Sequence, residues 1–105
     1  MSERAGEGWN GYVHGVGPLQ GAGRVDGYPW YFRARHSHWS MEIAEDSSMN
    51  EDALPLVGTE VSGWLIEVFY GPSPAASYME ERIGWEFIER TIEQFRRRAL
   101  PYVKR

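Results

Sequence analysis

The chain contains no cysteine, and this absence excludes several kinds of chemistry. A protein without thiols has no disulfide framework, no thiol nucleophile and no cysteine-ligated zinc site. Because small secreted domains depend on disulfides, the absence also argues against a secreted mini-protein. A length of 105 residues is that of one domain, and such a domain buries about 60–70% of its unfolded surface, enough for one core without staples.

Long apolar runs are also missing. No stretch approaches the roughly 18 apolar residues of a membrane-spanning helix. The first residues, MSERAGEG, lack the apolar segment of a signal peptide. We therefore expect a cytoplasmic protein that has no contact with a membrane.

Cations are absent from the middle of the chain. Between residues 36 and 81 there is no Lys or Arg, whereas nine acids fall there. Six of the nine form an acidic segment: Glu42, Glu45, Asp46, Glu51, Asp52 and Glu60. Five cations follow in the last ten residues. Because such a segment repels a phosphate backbone and attracts a basic surface, it disfavours nucleic acid and predicts a basic protein surface as partner.

Glycine is concentrated at the start of the chain. Residues 1–23 hold seven of the twelve glycines. Glycine at this density favours turns and loose extended chain. We predict a partly flexible, glycine-rich leader over 1–23 and a single α+β domain over 24–105.

Two alternating runs predict neighbouring strands. The turn dipeptide Asp26-Gly27 is typical of a type I′ hairpin, and Trp30, Phe32 and Ala34 then share one face. In the second run, the residues that share a face are Trp39, Met41 and Ile43. A connection centred on residues 37–38 brings both sets into one core and places Arg33 opposite Glu42. A third strand over 63–70 is apolar on both faces.

A helix over 78–100 completes the predicted fold. Ser77 and Glu80 form a capping box, Pro101 stops the helix, and apolar residues follow at helical spacing. The sequence therefore predicts an α+β fold, a meander of three to four antiparallel strands with one C-terminal helix on one face.

Two histidines and a glutamate have a spacing that metal sites use. His36, His38 and Glu42 follow the pattern His-x-His-x₃-Glu, which resembles the first metal motif of the cupin family. The resemblance covers seven residues and implies a metal held by two imidazoles and a carboxylate. The family's leading glycine is replaced here by Trp30, and no histidine follows His38 to supply the second motif.

Three functions remain open from the sequence. The first is a non-catalytic protein without a cofactor that binds a macromolecular partner through the acidic segment, of the inhibitor, immunity or phage anti-defence (anti-CRISPR) type. The second is a metal-dependent small-molecule enzyme that uses His36, His38 and Glu42. The third is a structural homodimer that covers the second apolar face of the strand at 64–70. No serine stands in a nucleophile-elbow context, so no catalytic residue is named.

Overall fold

A computed structural model describes residues 1–50 and 61–104. Within these residues, seven strands form one antiparallel sheet in the order of the chain. A 3₁₀ turn and helix α1 lie between the sixth and seventh strands. The elements are β1 Ser2–Gly6, β2 Trp9–His14, β3 Leu19–Val25, β4 Tyr28–Arg35, β5 His38–Ala44, β6 Gly63–Phe69, the 3₁₀ helix Ala75–Tyr78, α1 Glu81–Arg96 and β7 Tyr102–Val103. The predicted α+β class is confirmed, but the predicted count of three to four strands is wrong.

The missing strands come from the glycine-rich segment, which forms β1, β2 and most of β3. Its glycines serve packing: an added Cβ on Gly11 would lie 2.2 Å from the Trp30 ring, and one on Gly23 would lie 2.0 Å from the Asn10 carbonyl oxygen. The fully buried Trp30 indole therefore needs bare backbone beneath it. The flexibility of residues 1–23 stays a prediction.

The two central hairpins differ in how well the sequence predicts them. Asp26 and Gly27 have φ values of 51° and 87°, so the turn between β3 and β4 has the positive φ values of type I′. The next turn is His36-Ser37, one residue earlier than predicted, and it pairs Arg33 with Ser40 and Tyr31 with Glu42. The predicted pairing of Arg33 with Glu42 is therefore wrong by two residues.

A contact from outside the hairpin helps to hold this turn. The Ser77 hydroxyl accepts a hydrogen bond from the His36 amide at 2.7 Å, and the Ala76 amide donates to the His36 carbonyl at 2.9 Å. Ser77 therefore does not cap the helix, which begins at Glu81 after Glu80. Because a shift of two residues preserves the side-chain parity, the predicted faces of both strands are still correct.

Helix α1 ends earlier than predicted, in a Schellman motif. Arg98 has a φ of 52°, its amide donates to the Phe95 carbonyl, and the Ala99 amide donates to the Gln94 carbonyl. These are the two bonds that define the motif. The helix is therefore closed by backbone geometry and ends five residues before Pro101, the residue predicted to stop it.

The core lies between α1 and one face of the sheet, which we call the inner face. Its residues from the sheet include Trp30, Phe32, Met41 and Ile43, all with no exposed surface. The helix contributes a matching stripe: Gly84, Trp85, Ile88, Thr91, Ile92 and Phe95. Burying side chains of this size supplies roughly 1.5–3 kcal/mol each, so this layer holds the fold together. None of the described helices is long and apolar enough to cross a membrane.

Candidate functional site

The opposite, outer face of the sheet carries polar and charged side chains. Strand alternation sends every second residue of β2 to β6 away from the helix. In the register these outer residues form cross-strand rows: His14, Gln20, Arg33, Ser40 and Glu67 in one, Tyr12, Ala22, Tyr31, Glu42 and Leu65 in the next, and Arg35, His38 and Phe69 nearest the His36 turn. A ligand or partner of the sheet would therefore bind on this face, because α1 covers the inner face.

The predicted acidic segment is partly described. Glu42 is half-buried on the outer face, and Glu45 and Asp46 are exposed directly after β5. These three residues are called the acidic end. The other predicted partner-binding residues, Glu51, Asp52 and Glu60, lie outside the described residues.

Hydrogen bonds order the acidic end. The Asp46 carboxylate accepts bonds from the Ser48 amide at 2.9 Å and the Ser48 hydroxyl at 2.6 Å, and these bonds lower the pKa of Asp46. A hydrogen bond to Glu45 raises the pKa of Tyr102. Both carboxylates therefore have partners that favour a fixed position for the negative charge.

Arg24 contacts the segment that follows β5 through backbone carbonyls. Its guanidinium donates to the carbonyl oxygens of Gly27, Ser47 and Met49 at 2.9, 2.8 and 2.7 Å. A recess of about 220 Å³ lined by Glu45, Asp46, Val61 and Ser62 lies beside this segment. Arg24 thus fastens the segment after β5 to the sheet.

The three predicted metal ligands are not brought together. His38 and Glu42 are four residues apart on β5, which places them roughly 13 Å apart along an extended strand. His36 lies in the turn, where its Nε2 accepts a hydrogen bond from the Arg35 Nε at 3.0 Å. No group of three or more His, Cys, Asp or Glu within residues 1–50 and 61–104 could hold a metal ion.

The same histidines instead line a groove that the sequence analysis missed. We call it the cationic groove: its volume is about 530 Å³, and its described lining is Arg33, Arg35, His36, Ser37, His38, Trp39, Ser40 and Glu67. The sequence does contain a sign of this groove: Arg33 and Arg35 are two residues apart on β4, and His38 follows directly after the turn. The expected pairing of Arg33 with Glu42 concealed it.

The guanidinium of Arg33 is the unusual group in this groove. Its Nε is buried and has no hydrogen-bond partner among the residues that the structure describes. A buried donor without an acceptor costs about 1–3 kcal/mol. Other arginines do have acids nearby, such as Arg4 with Glu89 at 3.1 Å and Arg96 with Asp26 at 3.0 Å. The groove therefore contains a buried hydrogen-bond donor that lacks a described acceptor.

Strand β6 was expected to need a cover on its outer face. Leu65 is half-buried, whereas Phe69 is 62% exposed, and the exposed Glu67 lies between them. The homodimer that would cover this face stays a prediction.

Comparison with known proteins gives no relative for this arrangement. The chain matches no protein-family model, no curated protein and no solved structure.

Proposed function

We propose that this chain is a small non-catalytic protein that binds a basic macromolecular partner through the acidic end. The observation that carries the proposal is the closeness of Glu42, Glu45 and Asp46 in the chain at the end of β5, where hydrogen bonds engage the carboxylates of Glu45 and Asp46. An inhibitor, an immunity protein or an anti-defence (anti-CRISPR) protein would work in this way, because each acts by occupying a surface of its target.

Charge and shape both support this interpretation. Exposed carboxylates that are already ordered lose little side-chain entropy when a cation approaches them. The neighbouring recess of about 220 Å³ has the size to receive one side chain. If a Lys or Arg side chain of the partner entered this recess, its charged end would lie beside Glu45 and Asp46.

The test is partner capture by the full chain from its native host at low and at high salt. The variant Glu42→Gln/Glu45→Gln/Asp46→Asn removes three charges, and asparagine keeps an oxygen that can accept the Ser48 hydrogen bonds. We expect the variant to lose the partner at low salt. The natural chain should lose it as salt rises, because screening shortens the Debye length from about 10 Å at 0.1 M to about 3 Å at 1 M.

A matched control removes the same charge from the helix. Glu80, Glu86 and Glu93 are exposed and form surface ion pairs with Arg82 and Arg97, which contribute roughly 0–1 kcal/mol each. The variant Glu80→Gln/Glu86→Gln/Glu93→Gln should capture the partner normally. If both variants capture it equally well, the acidic end is not the binding surface.

A further inference from the structure

The cationic groove lies at the other end of β5 and has its own chemistry. Phe32 and Ala34 are fully buried on the inner face. The residues that follow each of them, Arg33 and Arg35, therefore point outward. The register places Arg35 opposite His38. Hydrogen-bond donors from β4 and β5 therefore face one open groove.

The charges in this groove are unbalanced. No ion pair among the described residues includes Arg33 or Arg35. Glu67 is the one carboxylate among the described lining residues, so two guanidinium charges stand against one negative charge. Arginine presents a planar fork that matches an oxyanion. The buried Arg33 Nε without a partner is a donor that such an oxyanion could satisfy.

An exposed aromatic ring adjoins the groove. Phe69 is opposite His38 in the register, and the two ring centroids are 5.6 Å apart. Because Phe69 is 62% exposed, much of its side chain is accessible to a ligand in the groove. Stacking beside a cation is the way in which proteins hold a base next to its phosphate.

The length of the ligand is limited by the acidic end. Glu42 lies two residues beyond Ser40 on the same face of β5, which is roughly 7 Å along a strand. A chain of phosphates that followed β5 would therefore meet a negative charge. A volume of about 530 Å³ falls within the range of small-molecule sites, about 300–1,000 Å³.

We propose that the cationic groove binds a phosphate monoester carried on a flat aromatic group, a ligand of the size of one nucleotide. Arg33 and Arg35 hold the phosphate, and Phe69 stacks against the ring system. This site is separate from the acidic end, so either proposal can fail without the other.

The test is a titration of the full ¹⁵N-labelled chain, followed by NMR, with adenosine monophosphate as the probe. Inorganic phosphate, adenosine and single-stranded oligothymidylate are the comparison probes. We expect adenosine monophosphate to bind more tightly than the other three and to shift amides of residues 33–40 and 67–69. Arg33→Gln and Arg35→Gln should each weaken it about tenfold, the loss of one charge-assisted bond.

Two further variants separate the roles of charge and stacking. Phe69→Ala should reduce the affinity for adenosine monophosphate to that for inorganic phosphate. Arg90→Gln removes the same charge from an exposed position on the helix and should bind normally. Arg35 is itself exposed, so its variant tests the site even if Arg33→Gln does not fold.

Three outcomes would overturn the proposal. One is that adenosine monophosphate shifts no amide near the groove at millimolar concentration. Another is that Arg90→Gln weakens binding as much as Arg35→Gln, which would indicate general charge attraction. The third is that oligothymidylate binds more tightly than the mononucleotide, which would indicate an extended nucleic-acid surface.

Discussion

Successive residues of β4 and β5 point alternately to the inner and the outer face, and the two faces differ in how deeply they bury their side chains. Phe32 on the inner face has no exposed surface, whereas its neighbours Tyr31 and Arg33 on the outer face are half-buried. On the inner face side chains are selected by volume against α1. On the outer face none of the described helices competes for space, so polar and charged side chains can be accommodated there.

The two ends of β5 carry charge of opposite sign. The acidic end follows β5, and the cationic groove surrounds the turn before it. Both use strand β5 as a common support, and each carries charge that contributes little to the core. Substitutions on the two faces should therefore separate stability from binding.

The largest effect is expected for Phe32→Ala on the inner face. Removing a fully buried ring leaves a cavity against the helix, and this should lower the free energy of unfolding by about 3–5 kcal/mol. Tyr31→Ala, one residue away on the outer face, should cost roughly 1–2 kcal/mol, because its ring is half-buried and its hydroxyl donates to Gln20 at 2.8 Å. Urea denaturation measures both, and equal losses would contradict the contrast between the faces.

A smaller loss is expected when a methyl group is added to an inner-face glycine. In Gly23→Ala the new Cβ would meet the backbone of β2, 2.0 Å from the Asn10 carbonyl oxygen, so β2 and β3 must separate. Overpacking of this kind costs roughly 1–3 kcal/mol. Gly71→Ala is the control, since its Cβ would meet the Ala75 side chain at 3.1 Å. Thermal unfolding that is unchanged by Gly23→Ala would show that β2 can move away from β3 at little cost.

The smallest effect is expected on the outer face, and with the opposite sign. Arg33→Met removes a buried donor that has no described partner and keeps an apolar stem of similar length. We expect the free energy of unfolding to stay level or to rise by up to about 1 kcal/mol. Arg35→Met, at an exposed position, should change it by no more than about 0.5 kcal/mol. A clear loss of stability in Arg33→Met would mean that this guanidinium serves the fold.

The strand pattern shows how far local periodicity reaches. The faces of β4 and β5 and the Asp26-Gly27 turn follow from alternation and turn chemistry, and both predictions are confirmed. The glycine-rich strands were missed because glycines at alternate positions have no side chain to display a period. The packing role of Gly11 depends on the Trp30 ring, which comes from another strand.

The site was predicted less well than the fold, and the register explains this. The sequence predicts Arg33 opposite Glu42, and this pairing leaves no free charge on Arg33 from which to infer the cationic groove. Arg33 is instead paired with Ser40, and its buried Nε has no hydrogen-bond partner among the described residues. Of the predicted binding residues, Glu42, Glu45 and Asp46 lie close together in the chain, which is a local property that the sequence displays directly.

The sequence by itself determined the α+β class, the faces of the central strands and the clustering of acids, because alternation, helical spacing and charge runs are local properties. The tertiary structure alone decided the register at the His36 turn, the start of the helix and the packing role of the glycines. Each of these depends on groups distant in sequence: the Ser77 hydroxyl binds the His36 amide, and the Trp30 indole fills the space above Gly11. Contacts between distant residues leave no periodic trace, so they become visible only when the chain is folded.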